Sequence, residues 1–182
     1  MRTYLIRHGM TRGNLEGRYI GSRSDEALCQ AGILAVKALS APSVARVFVS
    51  PMRRCLETAR LLFPDMAYET VEDFRECDFG AFEGENYASL NGRKDYQDWI
   101  DSGGEAAFPG GESRAEFAAR CCRAYDEILG RGGQGDIAVV AHGGTVMAVM
   151  EKYARPRGGY FDFQVKCGEG YMMGTDGRYE RL

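Results

Sequence analysis

The chain has few of the features that mark secreted, membrane-bound or nucleic-acid-binding proteins. None of its apolar runs reaches 18 residues, and the apolar stretch near Met1 is too short for a signal peptide. Its 23 basic and 26 acidic residues are interspersed and give a net charge of -3. This pattern excludes a broad basic face for nucleic acid or an anionic membrane, so local basic residues must hold any anionic ligand. We predict a soluble, cytoplasmic protein.

Metal-binding and disulfide patterns are also missing. The six cysteines include no Cys-x-x-Cys pair, and no histidine lies at ligand spacing from them. We therefore expect reduced cysteines and no bound metal. The six cysteines are Cys29, Cys55, Cys77, Cys121, Cys122 and Cys167.

Histidine is rare, and its two positions are alike. His8 and His142 each end a short apolar run and are followed at once by glycine. An apolar run that ends in glycine indicates a buried strand leaving a sheet through a tight turn. In open α/β sheets, ligands bind at the carboxyl edge of the strands. Two imidazoles at that edge indicate a reaction centre.

Strand-like and helix-like segments alternate along the chain. We predict strands at 3–7, 46–50, 67–71, 136–141 and 160–166. A helix over 113–130 carries a capping box of Ser113 and Glu116, and a second helix has Ser50 and Pro51 as its N-cap and first residue. We predict one α/β domain, residues 1–182, with a mostly parallel central sheet and helices on both faces. The polar segment 84–111 is expected to be an insertion over the sheet edge.

The residues near His8 suit a nucleophile that attacks phosphorus. Arg7 is adjacent, and the turn of residues 9–14 adds backbone N–H groups, the Thr11 hydroxyl and the Asn14 amide. Arg53 or Arg54 follows a second strand, where one of the two would face the pocket and bind phosphate oxygens in a fork.

A leaving alkoxide also needs a proton, which a carboxyl group in a partly apolar pocket can supply. Glu76 lies between Phe74 and Phe79 and is a better candidate than Glu83.

Four motifs in this order resemble the histidine phosphatase superfamily, also called the phosphoglycerate mutase-like family. They are Arg-His-Gly, Ser-x-x-x-Arg-x-x-x-Thr, Glu-x-x-x-Gly-x-x-Glu-Gly and Ala-His-Gly-Gly, and the resemblance covers about residues 3–152. It implies the phosphoglycerate mutase-like fold and a phosphohistidine mechanism without metal or organic cofactor. Met10 departs from the family pattern, which commonly has glutamate or glutamine there.

The resemblance also implies roles for individual residues. His8 is the phosphorylated nucleophile, Glu76 the proton donor, and phosphate is bound by Arg7, Arg54, His142 and Asn14. Backbone N–H groups at Gly143 and the Thr11 hydroxyl are further phosphate-site candidates. The implied substrate is a small-molecule phosphate ester, and the turn at 17–21 and the segment 109–113 favour the alpha-ribazole phosphatase type.

Several alternatives stay open at this level. A phosphoglycerate mutase or a non-catalytic phosphate sensor would share these motifs, although a mutase is usually longer. Glu76 could instead pair with Arg75 on the surface. We expect three aromatic residues of the insertion to pack it rather than contact substrate: Tyr87, Tyr96 and Trp99. A substrate contact by Glu112 or Ser113 stays open, because the segment 109–113 lies near the substrate entrance in relatives. The sequence leaves the oligomeric state open.

Overall fold

The computed structural model describes residues 1–131 and 133–182 and contains a six-stranded sheet in the order β3-β2-β4-β1-β5-β6. The first four strands along the chain are β1 (Arg2–Arg7), β2 (Arg46–Val49), β3 (Tyr68–Thr70) and β4 (Ile137–Ala141), and they pair in parallel. The last two, β5 (Gly170–Gly174) and β6 (Tyr179–Arg181), extend the β1 edge in antiparallel fashion. The predicted α/β class with a mostly parallel sheet is confirmed.

Helices cover both faces of this sheet. They are α1 (Arg12–Leu15), α2 (Gln30–Lys37), α3 (Arg53–Leu62), α4 (Tyr87–Leu90), α5 (Lys94–Asp101), α6 (Arg114–Gly130) and α7 (Gly143–Tyr153). None of the helices in the described ranges is long and apolar enough to cross a membrane.

The alternation of side chains along β4 explains how both faces are covered. Ala138 and Val140 pack with residues of α2 and α3, whereas Ile137 and Val139 pack with residues of α6 and α7. All five residues of β4 are buried, because the strand lies between β2 and β1 and its two faces carry helices. This is why the strand is an unbroken apolar run in the sequence.

The starts of two helices show where local sequence rules succeed and fail. The predicted capping box forms at α6, where Ser113 and Glu116 bond each other's backbone N–H groups. The Ser50 cap does not form, since α3 begins at Arg53 with Met52 as its N-cap residue. The Ser50 hydroxyl lies instead 2.8 Å from Nε2 of His142. The Ser50 side chain, which the local pattern assigned to the start of the helix, therefore makes a tertiary hydrogen bond instead.

The predicted strand at 160–166 is wrong. Residues Tyr160–Phe163 form a 3-10 helix, in which the Asp162 carboxylate accepts a hydrogen bond from the N–H of Gly159. The sheet is extended by β5, a glycine-bounded segment without the usual β-branched residues. Its Gly170 lies so close to β1 that a Cβ there would come 2.0 Å from the carbonyl oxygen of Leu5. Glycine is thus required at that point by close backbone approach.

The segment 84–111 carries α4 and α5 and packs through aromatic rings. Trp99 stacks on Phe108 with ring centroids 4.8 Å apart, and Phe82 contacts both rings edge-on. Tyr96 is buried as expected, but Tyr87 is 68% exposed.

Candidate active site

The parallel register of β1 and β4 brings the two histidines together. Arg7 is paired with Ala141, so both strands end at the same level, and the N–H of His8 bonds the carbonyl of Ala141. The imidazole rings of His8 and His142 consequently lie 5.3 Å apart, centroid to centroid. Both are buried. The prediction that the two imidazoles share one edge of the sheet is confirmed.

The His8 ring is fixed by its own turn. Nδ1 lies 2.7 Å from the carbonyl oxygen of Gly9, which can only accept, so Nδ1 carries the proton. In the neutral ring this leaves the lone pair on Nε2. Burial, and then the charges of Arg54 and Arg7, hold the pKa of His8 well below its ordinary value of 6.5. The substrate-free site therefore presents a neutral imidazole with a free Nε2.

Two arginines bring positive charge to this site, and neither forms an ion pair with a carboxylate among the described residues. Arg7 donates to the carbonyl of Val165, and Arg54 is 1% exposed and donates to the carbonyls of Ser24 and Gly21. In the described part of the chain, the buried Nε of each has no hydrogen-bond partner. Arg53, by contrast, points outward and pairs with Glu57. Of the two candidate arginines, Arg54 is the one that faces the site.

The Ser-x-x-x-Arg-x-x-x-Thr motif is explained by three contacts. Ser50 bonds His142, Arg54 supplies the buried guanidinium, and Thr58 lies one helical turn further along α3. The Thr58 hydroxyl donates to the carbonyl of Arg54 and accepts from the N–H of Gly9. Thr58 thereby joins the arginine to the turn that holds the nucleophile. From the sequence, Thr58 was predicted only as a member of the motif, without a role of its own.

Glu76 and His142 lie next to each other in the site. Oε2 of Glu76 lies 3.7 Å from Nδ1 of His142, and Oε1 accepts from the N–H of Cys77. Burial raises the pKa of Glu76, in opposition to the nearby arginines. Burial, followed by the charge of Arg54, lowers the pKa of His142 well below 6.5. The alternative in which Glu76 is a surface partner of Arg75 does not hold, because Arg75 pairs with Glu72.

A cavity of about 430 Å³ opens above these residues. Five of the predicted site residues line it: Arg7, His8, Asn14, Glu76 and Gly143. Arg54 and His142 are fully buried beside His8 and Glu76 and are not part of the wall. The Thr11 hydroxyl accepts from the N–H of Asn14 as the cap of α1, and Thr11 does not line the cavity either.

The rest of the wall was largely missed by the sequence analysis. It is aromatic and apolar, with two further arginines, and consists mainly of Arg18, Tyr19, Phe79, Trp99, Phe108, Arg114, Phe117, Met147, Tyr160 and Phe161. These residues come from the turn at 17–21, the loop after Glu76, the insertion, α6, α7 and the segment that was predicted as a strand. Only their convergence in the fold gives them a common location. Trp99, expected to serve packing alone, both packs the insertion and lines the cavity.

Two other candidates have structural positions. Glu112 pairs with Arg120, and Ser113 caps α6, so neither lines the cavity. Glu83 accepts from the N–H of Gly21, and it too is absent from the wall. Among the residues described, no cluster of three or more His, Cys, Asp or Glu side chains has a geometry that could hold a metal ion.

Curated proteins with related sequences carry phosphatase and mutase names. The adenosylcobalamin/alpha-ribazole phosphatase of Escherichia coli is 27% identical over 177 residues, which cover 92% of this chain and 87% of that protein. Some relatives are longer: the chain spans 41% of a bifunctional protein of Mycobacterium tuberculosis, to which it is 31% identical over 150 residues.

Solved structures show the same fold. The phosphoglycerate mutase of Thermus thermophilus aligns with a TM-score of 0.77 and 29% identity, covering 100% of this chain and 98% of that one. The alpha-ribazole phosphatase of Shigella flexneri aligns with a TM-score of 0.82 at 24% identity, covering 100% and 95%. The sequence model that describes the family 'Histidine phosphatase superfamily (branch 1)' matches residues 3–176, and the chain belongs to that superfamily.

Proposed function

We propose that the protein is a phosphomonoester hydrolase that works through a phosphohistidine at Nε2 of His8. The observation that carries this proposal is the hydrogen bond from Nδ1 to the carbonyl of Gly9, which leaves Nε2 as the nucleophilic atom of a neutral ring. The lowered pKa of His8 keeps the ring in that form at neutral pH.

The phosphoryl group would be held by positive charge and backbone dipoles. Arg7 and Arg54 place two guanidinium groups near His8, and each has a buried Nε without a partner in the described chain, so a phosphoryl group on His8 would meet positive charge. The N-terminus of α7 at Gly143 adds partial positive charge. The Asn14 side-chain bonds within the described residues use Oδ1, so its NH₂ group is available to donate.

Glu76 is suited to carry a proton in both halves of the reaction. In the first half, Nε2 of His8 forms a bond to phosphorus, the ester oxygen leaves, and the protonated Glu76 gives that oxygen its proton. In the second half, the Glu76 carboxylate accepts a proton from water as the water oxygen attacks phosphorus and the bond to Nε2 breaks. A raised pKa, caused by burial, favours the protonated form that the first half requires.

The apolar part of the cavity wall indicates the chemical class of the leaving group. Beyond the phosphate end, the cavity is lined mainly by rings and Met147. This favours an ester whose leaving alcohol carries a large apolar or aromatic part, and alpha-ribazole-5'-phosphate is the first candidate because several relatives are named for that activity. We further propose that the chain acts as one domain; its cellular location stays a prediction.

Replacement of the nucleophile tests the proposal directly. We expect His8→Ala to abolish turnover of p-nitrophenyl phosphate while the circular dichroism spectrum and melting temperature stay close to those of the wild type. Full activity in this variant would refute the phosphohistidine mechanism. Turnover that is present in the wild type and lost in the folded variant would also exclude the phosphate-sensor alternative, because a sensor has no turnover to lose.

The role of Glu76 is tested by the choice of leaving group. Glu76→Gln should slow hydrolysis of an alkyl phosphate far more than that of p-nitrophenyl phosphate, whose leaving group needs no proton. A loss of about 10²–10⁴-fold on the alkyl ester is the usual contribution of a general acid. Equal losses on the two esters would argue against proton donation by Glu76.

A mutase activity is the second candidate, because one structural relative is named as a phosphoglycerate mutase. The wall speaks against it, since phosphoglycerate is small and highly charged, whereas most of the wall is apolar and its two further arginines are already paired, Arg18 with Glu16 and Arg114 with Glu105. Incubation with 3-phosphoglycerate, followed by measurement of the 2-isomer and of inorganic phosphate, separates the two activities. Efficient isomerisation with little phosphate release would favour the mutase.

A further inference from the structure

Arg120 lies outside the cavity wall, yet its guanidinium contacts the backbone of the segment that carries Glu76. It donates to the carbonyls of Asp73, Arg75 and Glu76 at 2.7–3.0 Å. Its two remaining N–H groups pair with the two carboxylate oxygens of Glu112 at 2.7 and 2.8 Å. All five donors of the guanidinium are therefore used.

Glu112 completes the contact from the other side. Its Oε2 accepts a hydrogen bond from the N–H of Asp78, and its own N–H donates to the carbonyl of Asp78. Burial opposes ionisation, but the Arg120 guanidinium and the N–H of Asp78 hold the pKa of Glu112 below its ordinary value. The pair therefore remains charged, and its hydrogen bonds reach both ends of the segment 73–78, from Arg120 to Asp73 and from Glu112 to Asp78.

The surrounding contacts leave little freedom for this segment. The Arg120 guanidinium lies 4.8 Å from the centre of the Phe117 ring, and a Cβ on Gly144 would come 2.8 Å from the same ring and 3.1 Å from Oε1 of Glu76. A shift of the segment by even a fraction of an ångström would therefore change how Glu76 faces the cavity.

We propose that Arg120 and Glu112 are positioning residues, which hold the backbone of residues 73–78 so that the Glu76 carboxyl meets the leaving oxygen. This rests on the proposed role of Glu76 as proton donor. It also gives a function to the segment 109–113, in which Glu112 binds Arg120 of α6 rather than a substrate. Lysine cannot replace Arg120 fully, since its three donors lack the planar fork.

The experiment compares an alkyl ester, 2-phenylethyl phosphate, with p-nitrophenyl phosphate. Arg120→Met should lower kcat on the alkyl ester at least about 10-fold more than on the aryl ester, in the pattern of Glu76→Gln. It should also move the alkaline limb of the kcat profile for the alkyl ester to higher pH, because a cation that favours the Glu76 carboxylate is removed. Arg123→Met is the matched control, since Arg123 is exposed on the same helix and, among the described residues, its guanidinium bonds the side chain of Asp73 alone.

Two further variants keep the test decisive where Arg120→Met does not fold. Arg120→Lys retains the charge without the fork, so it should keep the alkaline limb in place and still lose activity selectively on the alkyl ester. Glu112→Gln should show a smaller loss with the same selectivity. Equal losses on both esters, or selectivity equal to that of Arg123→Met, would overturn the proposal. A wild-type protein that hydrolyses neither ester would instead refute the proposed function.

Discussion

Phosphate should stabilise this protein strongly, because its site holds two guanidinium groups, one of them fully buried, that form no ion pair with a carboxylate among the described residues. The buried Nε of Arg7 and of Arg54 lack partners in the described chain, and Arg54 is 1% exposed. Bound phosphate would bring negative charge close to both guanidinium groups. At a phosphate concentration 100 times the dissociation constant, linkage adds about 2.7 kcal/mol to the free energy of unfolding. For a chain of this size the melting temperature should rise by about 5–11 °C.

Arg54→Met should remove most of that rise. A hydrogen bond to a charged group contributes about 1.5–3 kcal/mol, so the variant should bind phosphate about 10–150-fold more weakly. At the same phosphate concentration the stabilisation then falls to about 0.3–1.4 kcal/mol. Differential scanning calorimetry over a phosphate series measures it, and each variant is compared with itself in phosphate-free buffer.

Arg53→Met is the control for this measurement. Arg53 is the neighbouring residue on α3, but its side chain is 60% exposed and pairs with Glu57. We expect its phosphate-induced rise to equal that of the wild type. The reasoning is refuted if phosphate shifts Arg53→Met and Arg54→Met equally, or if saturating phosphate leaves the wild-type melting temperature unchanged.

Two further predictions concern stability. Thr58→Val keeps the shape of the side chain but leaves the buried N–H of Gly9 without its acceptor, so the free energy of unfolding, measured with urea, should fall by about 1–3 kcal/mol. Thr58→Ser keeps the hydroxyl and should stay near the wild type. Equal stabilities of the two variants would show that this hydrogen bond is not needed. The second is a dependence on pH. Because the pKa values of His8 and His142 in the folded protein lie well below 6.5, the unfolded chain takes up protons first as the pH falls. The stability that is complete above pH 6.5 should then decrease by up to about 1.4 kcal/mol per pH unit for each histidine. Urea unfolding at pH 7.5, 6.5 and 5.5 measures this, and a flat profile would contradict the neutral, buried rings.

Much of the fold follows from local pattern, and the exceptions have tertiary causes. The unbroken apolar run of β4 could be recognised because burial on both faces leaves no alternation. The strand β5 could not be recognised, because Gly170 is required by the close approach of the β1 backbone and not by a local sequence preference. Tyr160 and Phe163 have strand-like character, yet the Asp162 carboxylate closes a tight turn there.

The site shows the same division. The nucleophile and the arginines could be predicted because each ends a strand or starts a helix at the edge where parallel strands deliver their ligands. The carboxyl group could be predicted because Glu76 lies between two phenylalanines in the sequence. The aromatic wall could not be predicted, because its residues come from segments that are distant in sequence and have no shared motif.

By itself, the sequence determined which chemical groups the protein has: two imidazoles at strand ends, two arginines beside them, and a carboxyl group between phenylalanines. Tertiary structure decided how those groups behave. The contact with the carbonyl of Gly9 selects Nε2 of His8, and burial lowers the pKa of both histidines and raises that of Glu76. These properties depend on distances and on exclusion of water, which exist only once the strands are in register and the helices are packed on them.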